Sequence, residues 1–138
     1  MKNDKNELLL SIDEALKSYS YFHKKNPTFG MDIFIEGFQS DGIALVQKNE
    51  IFNKSNPVKF GFYTLVLCLY GETIRKVNQY EFKISKYSLQ LIPPNSLFSF
   101  ESITETTITY VLAFTDEFMN FGEQTSESEL ITALLAYH

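Results

Sequence analysis

The sequence has little of the material from which metal and disulfide sites are built. Its 138 residues include one cysteine, two histidines and no tryptophan. A single cysteine excludes an internal disulfide framework and a zinc site made of several cysteines. The two histidines, His23 and His138, stand far apart, and neither lies near another typical metal ligand in the sequence. We therefore expect no histidine-rich metal centre.

Segments that bind phosphates or cross membranes are also lacking. The six glycines are scattered, so neither the G-x-G-x-x-G nor the G-K-[ST] motif of nucleotide-binding loops occurs. No apolar run reaches the roughly 18 to 20 residues of a membrane helix, and residues 1–7 are too acidic for a signal peptide. The net charge of −5 disfavours contact with a phosphate backbone. We expect a cytoplasmic protein that binds no membrane and does not itself bind DNA.

The residue types that act as nucleophiles or bases have no partners in the sequence pattern. His23 lies in a helical segment and His138 is terminal, so neither is placed as a general base beside a serine. Cys68 lies inside an apolar strand, where a free thiol behaves as a small hydrophobic group. We therefore predict no catalytic residue and no enzymatic activity.

Apolar residues are plentiful and indicate one β-rich domain. The chain is 44% hydrophobic, with 13 Phe and 8 Tyr, which is enough for a single core. From residue 31 to 118, short apolar or alternating segments are separated by turn signals at intervals of roughly 8 to 12 residues, a pattern typical of a sandwich or barrel. The predicted strands cover residues 32–36, 43–46, 62–70, 80–84, 89–92, 97–101 and 107–114.

Helices are predicted on both sides of this region. In residues 1–26, an apolar stripe with helical spacing runs from residue 4 to residue 25, with Asp4 and Glu7 as a capping box. A second helix begins in residues 126–138, where Ser126 and Glu129 form a capping box. The sequence stops inside that second helix, so we expect the natural chain to continue.

Several motifs in residues 62–118 occur in an order known from one family. An apolar strand ends in the turn Gly71-Glu72, an alternating strand pair follows, and residues 89–95 end in Pro-Pro-Asn before an aromatic pair and the segment FTDEF. This order resembles the N-terminal effector-sensing domain of AraC-type transcription regulators. The resemblance implies a mainly-β, cupin-like double-stranded β-helix barrel at residues 31–118, with an N-terminal helix and the start of a C-terminal helix.

The general cupin pattern fits this sequence in spacing but not in chemistry. Its second motif places Asn95 where the family has a glycine and Phe98 where the family has a histidine. Its first motif, counted back from Gly71, places Thr64 at the glutamate position. The two histidines of the first motif fall on Pro57 and Lys59, or one residue later on Val58 and Phe60. Since none of these residues offers an imidazole or a carboxylate, the resemblance implies no metal and no cofactor.

The resemblance also implies which side chains face the barrel interior. Metal ligands of cupins point inward, so Thr64 and Phe98 should do so too. Because side chains alternate along a strand, Val66, Cys68 and Phe100 should share that face. These five residues are the predicted ligand-binding residues. They either line a pocket for a small, partly apolar effector or fill a small barrel as core, and the sequence leaves both interpretations open.

The function implied by the resemblance is effector sensing and dimerisation in a bacterial transcription regulator. Its expected partners are an unidentified small molecule, a second copy of the chain through one of the two helical stripes, and DNA only through a C-terminal domain outside this sequence. A free-standing, metal-free cupin that binds a small molecule is the alternative. A cupin enzyme is a third interpretation, which bound iron, zinc or manganese would favour.

Overall fold

Two β-sheets form most of the structure. The computed structural model describes residues 9–23, 25–51 and 54–120. The strands in these ranges are β1 (Leu9–Leu10), β2 (Ile43–Ile51), β3 (Val58–Phe60), β4 (Tyr63–Tyr70), β5 (Thr73–Val77), β6 (Tyr80–Ile84), β7 (Leu89–Ile92), β8 (Leu97–Ser102) and β9 (Thr106–Phe114). The helices are α1 (Ile12–Ser18) and α2 (Asp116–Asn120), with a 3₁₀ turn at Ser20–Phe22. The predicted mainly-β barrel is confirmed.

The pairing of the strands brings a shared set of side chains to the interior. One sheet has the strand order β1-β3-β8-β5-β6 and the other β2-β9-β4-β7. All neighbours run antiparallel except β1 and β3. In the four-stranded sheet, Val111 pairs with both Val46 and Val66. In the five-stranded sheet, Phe100 pairs with Arg75. Since Val46, Val66, Phe100 and Arg75 are all buried, the core lies between these faces.

Six of the seven predicted strands are confirmed, and the predicted strand at residues 32–36 is wrong. This segment forms turns. The Asp32 carboxylate accepts hydrogen bonds from the backbone N–H of Phe34 at 3.0 Å and of Asn26 at 3.1 Å. An aspartate that bonds the backbone two residues further on favours a turn over a strand. The apolar residues of the segment consequently reach the surface, and Ile35 is exposed.

The turn before β8 places the aromatic residues of that strand inward. Asn95 has φ 71°, the left-handed conformation expected from its place in the cupin motif. Its backbone N–H donates to the Phe60 carbonyl at 2.9 Å, which ties the turn to β3. Phe98 and Phe100 are both buried in β8. The predicted inward direction of Phe98 and Phe100 is therefore confirmed.

Helix α1 is shorter than predicted. It begins after Ser11, whose hydroxyl accepts from the Glu14 N–H at 3.2 Å while the Glu14 carboxylate accepts from the Ser11 N–H at 2.9 Å. This capping box, and not Asp4 with Glu7, starts the helix. A continuous helix from residue 4 to residue 25 is wrong because Leu9–Leu10 is strand β1, whose Leu10 carbonyl accepts from the Gly61 N–H at 2.9 Å; Asp4 and Glu7 lie outside the described residues.

The apolar stripe of α1 is used inside the chain. Ile12, Ala15 and Leu16 are buried and belong to the hydrophobic core. This part of the stripe is therefore not free for a second copy of the chain. The other predicted stripe, in residues 126–138, lies outside the described residues. Within the described ranges, the helices are too short or too polar to span a membrane.

Candidate ligand-binding cavity

The barrel interior contains a cavity of about 70 Å³. Both sheets and α1 contribute to its wall. From α1 come Ile12, Ala15 and Leu16, which close the cavity on one side. The wall therefore combines the inward faces of the sheets with a separate helical element.

The register between β2 and β9 divides the cavity wall into two ends. At the first end, Ala44 pairs with Ala113 and Val46 with Val111. At the second end, Lys48 pairs with Thr109. All six side chains lie on the cavity wall. We call the first, together with Phe60, Thr64, Val66 and Phe98, the apolar end and the second, together with Glu50, Arg75 and His23, the charged end.

Four of the five predicted ligand-binding residues lie on the cavity wall. These are Thr64, Val66, Phe98 and Phe100. The Thr64 hydroxyl is buried and has no hydrogen-bond partner among the described residues. The Phe98 ring lies 5.9 Å from the Phe60 ring and 6.3 Å from the Phe100 ring, measured between centroids. Their role in binding a ligand stays a prediction.

Cys68 differs from the expectation because it is not part of the cavity wall. Its side chain is fully buried, and Sγ lies 3.6 Å from the Tyr70 carbonyl oxygen and 3.5 Å from that of Gly71. Cys68 is buried in step with Thr64 and Val66 along β4, so its predicted inward direction is confirmed, but it lies outside the residues that line the cavity. Burial raises the pKa of the Cys68 thiol, which keeps it neutral.

The charged end contains an ion pair that the sequence did not reveal. Lys48 Nζ lies 3.1 Å from Glu50 Oε2, and the Glu50 side chain is only 4% exposed. The Lys48 ammonium also lies over three aromatic rings, 4.9 Å from the centroid of Tyr19, 5.8 Å from Phe22 and 5.7 Å from Phe100. Cation–π attraction and the ion pair together hold this lysine at the cavity wall.

Arg75 is the second cation of the charged end, and the carboxylate that acts on its charge, Glu50, is already paired with Lys48. The residue is 4% exposed. Its Nε and Nη1 atoms are buried and have no hydrogen-bond partner among the described residues. Burial lowers the pKa of the guanidinium, and Glu50 is the described carboxylate whose charge opposes that shift. Because Glu50 forms its ion pair with Lys48, Arg75 has no close counter-ion of its own within the described ranges.

His23 adds a neutral group to the charged end. Burial, and next the positive charge of Lys48, lower the pKa of His23 to about 4. The ring is therefore uncharged at neutral pH, and its Nδ1 has no hydrogen-bond partner among the described residues. With Lys48 and Arg75 positive and Glu50 negative, the wall carries one excess positive charge.

Several solved structures resemble the barrel. The cupin domain of Cnp3 from Schizosaccharomyces pombe aligns with a TM-score of 0.55 at 15% identity, over 67% of this chain and 62% of that chain. A cupin superfamily protein from Desulfitobacterium hafniense aligns with a TM-score of 0.53 at 13% identity, over 67% and 81% of the two chains. The barrel has the cupin fold. No family model matches the sequence, and no curated protein matches it.

A protein of unknown function from Streptococcus pyogenes also aligns with the barrel. Its TM-score is 0.51 at 9% identity, over 56% of this chain and 68% of that chain. The aligned region spans less than two thirds of the Cnp3 chain. At identities of 9 to 15% these likenesses concern the cupin fold and not a shared activity.

The residues at the cupin metal-ligand positions do not fit a divalent metal. Thr64 and Phe98 occupy two of these positions and lie on the cavity wall. A phenyl ring is no ligand, and a single hydroxyl does not replace the imidazole and carboxylate set that divalent metals need. In the described part of the chain, no three His, Cys, Asp or Glu side chains come together as a possible metal site.

Proposed function

We propose that this cupin barrel is the effector-binding domain of a bacterial transcription regulator of the AraC type, with the effector in the interior cavity. Two observations support the proposal. The sequence motifs of residues 62–118 follow the order of such sensing domains, and the cavity wall joins an apolar end to a charged end. Pockets with this combination orient a ligand by a few polar groups and hold its remainder by apolar contacts. The unpartnered Arg75 is the observation that carries the proposal.

Helix α1 gives the domain a way to report a bound effector. Because Ile12, Ala15 and Leu16 are part of the cavity wall, a ligand in the cavity contacts the helix as well as the strands. An effector that fits one position of α1 better than another shifts the population toward that position. In the regulator, this shift changes how the DNA-binding region outside this sequence is presented.

Self-association belongs to the same proposal. Since the described part of the α1 stripe is buried in its own barrel, we assign dimer formation to residues 126–138. Sedimentation of the 138-residue protein and of a version ending at residue 120 tests this assignment. We expect the longer protein to dimerise and the shorter one to be monomeric. Dimers of equal stability from both would contradict it.

A matched pair of variants tests whether the cavity is the effector site. Val66→Phe fills the cavity, whereas Leu65→Phe adds a ring of the same size to the opposite face of β4. An effector at a hundredfold excess over its Kd stabilises the folded protein by about 2.7 kcal/mol. We expect thermal unfolding against a metabolite library to find compounds that stabilise the native protein and Leu65→Phe but not Val66→Phe. Equal stabilisation of both variants would contradict a site in the cavity.

The regulatory part of the proposal requires the full-length gene product. A compound found in this way should change the retention of a promoter fragment by that protein in a gel-shift assay. The same compound should leave retention unchanged when the full-length protein carries Val66→Phe. A compound that binds the barrel without any effect on promoter retention would favour a free-standing binding protein.

A further inference from the structure

The guanidinium of Arg75 is a buried cation for which the described protein supplies no acceptor at two of its nitrogens. Arg75 is 4% exposed, and its Nε and Nη1 atoms have no hydrogen-bond partner in the described residues. Buried polar groups are almost always hydrogen-bonded, and an unpaired buried charge is strongly unfavourable. Since Arg75 lies on the cavity wall, an acceptor in the cavity would satisfy it. A negatively charged acceptor satisfies its charge as well as its N–H groups.

The charges around the cavity select the charge of that acceptor. Lys48 and Glu50 already neutralise each other across 3.1 Å. His23 is neutral at pH 7 because its pKa is lowered to about 4, and the remaining charge is that of Arg75. A monoanion brings the charge of the wall and its ligand to zero, whereas a dianion leaves a negative charge in a place of low polarity. The electrostatics therefore favour a monoanion over a dianion or a cation.

The volume of the cavity limits the size of the ligand, and the apolar end limits the polarity of the part that does not contact Arg75. The cavity volume of about 70 Å³ is half of the ~150 Å³ cavity that accommodates benzene. By that comparison about three non-hydrogen atoms fill this volume, and since the cavity is partly open, a short chain can extend the ligand beyond them. Away from the charges, the wall consists mostly of aliphatic and aromatic side chains, among them Val46, Ile92 and Phe98, with the Thr64 hydroxyl as a polar group between them. Hydrocarbon groups gain free energy from such contacts, and a second polar group would lose its hydrogen bonds with water.

We infer that the cavity binds a short-chain aliphatic monocarboxylate, with its carboxylate on Arg75 and its hydrocarbon chain toward the apolar end. The inference rests on the proposed function, because it names the effector class of the same cavity. Guanidinium groups bind carboxylates through charge-assisted hydrogen bonds, which are stronger than those between neutral groups. The neutral alcohol of the same length keeps the apolar contacts but loses this interaction.

Calorimetric titration of the 138-residue protein with butyrate, 1-butanol and succinate tests the inference. We expect butyrate to bind at least tenfold more tightly than the other two probes, since a tenfold ratio corresponds to one lost charged hydrogen bond. Butanol tests the need for the negative charge, and succinate tests the preference for one charge over two. Butyrate affinity no higher than that of butanol or succinate would overturn the inference.

A pair of variants on strand β5 tests the role of Arg75. Arg75→Met removes the buried guanidinium, and Lys76→Met removes a positive charge from the neighbouring, exposed position. We expect Arg75→Met to weaken butyrate binding at least tenfold and Lys76→Met to leave it within twofold. Equal losses in both variants would show a general effect of net charge and would overturn the assignment. Arg75→Lys serves as a second variant, and its butyrate affinity should also fall because an ammonium lacks the planar donor group.

The same experiments separate failure of the ligand class from failure of the proposed function. If butyrate does not bind while an uncharged compound stabilises the native protein but not Val66→Phe, the effector site stands and the carboxylate inference is wrong. If no compound distinguishes Val66→Phe from Leu65→Phe, both the cavity site and the ligand class are wrong.

Discussion

The two ends of the cavity differ in how completely the protein satisfies its own side chains. At the apolar end, rings and aliphatic groups contact one another, as Phe98 does with the Phe60 and Phe100 rings, and the one polar group without a partner that the described residues place there is the neutral Thr64 hydroxyl. At the charged end, Lys48 and Glu50 are paired, whereas Arg75 has two buried nitrogens without an acceptor among the described residues. The apolar end therefore contributes to folding by itself. The charged end leaves a buried charge without an acceptor in the described residues, which costs more than an unpaired hydroxyl does.

The largest effect is expected from loss of a ring at the apolar end. Phe98→Ala removes a buried side chain that packs against two other rings, and such substitutions cost about 3 to 5 kcal/mol of stability. Phe82→Ala removes the same ring from an exposed position on β6 and should cost less than about 1 kcal/mol. Urea unfolding of both variants measures the difference. A loss of less than about 1 kcal/mol for Phe98→Ala would mean that this end is not packed core.

A smaller loss is expected at the charged end when its carboxylate is neutralised. Glu50→Gln leaves Lys48 and Arg75 without a negative charge nearby. Removing one partner of a fully buried ion pair costs about 3 to 5 kcal/mol, and since the Lys48 side chain is 17% exposed we expect about 2 to 3 kcal/mol. Butyrate should restore part of this stability, because the variant has two unmatched cations. An unchanged free energy of unfolding would contradict the ion pair.

The lowered pKa of His23, a residue of the charged end, predicts that the free energy of unfolding depends on pH. Its pKa is lowered from 6.5 to about 4 in the folded protein, so the unfolded chain takes up the proton first as the pH falls. The stability contribution is thus fully present above pH 6.5 and is lost between pH 6.5 and 4. The slope due to this one group is at most about 1.4 kcal/mol per pH unit.

The comparison with His23→Gln isolates this slope from that of the carboxylates, which are shared by both proteins. Urea unfolding at pH 7, 6, 5 and 4.5 should show the native protein losing stability faster than His23→Gln in the acidic range. Parallel curves for the two proteins would mean that His23 titrates normally, and hence that the charged end is open to water.

Sequence reasoning predicted the apolar end far better than the charged end. The resemblance to cupins implied that Thr64 and Phe98 face inward, and alternation along β4 and β8 then placed Val66 and Phe100 on the same interior face. The prediction that Cys68 lines the cavity failed although its inward direction is correct, because alternation along β4 does not show where the cavity ends. The start of α1 was also missed, since two capping boxes stood within one stripe and only β1 pairing decides between them.

The charged end was missed because sequence patterns equate buried with apolar. The predicted strand at residues 43–46 stopped before Lys48 and Glu50, although both continue the inward alternation of Ala44 and Val46. Strand β5 was not predicted at all, since Arg75 and Lys76 interrupt its apolar residues. If the alternation along β2 is continued past Val46, it places Lys48 and Glu50 inside the barrel.

The stability of Arg75→Met without any ligand tests the central claim most directly. If the buried guanidinium lacks a partner in the chain, its replacement by an apolar side chain of similar length removes an unfavourable buried charge. We therefore predict that urea unfolding gives Arg75→Met a free energy of unfolding equal to or higher than that of the native protein. A loss of about 3 to 5 kcal/mol, as expected when one member of a satisfied buried ion pair is removed, would contradict the account.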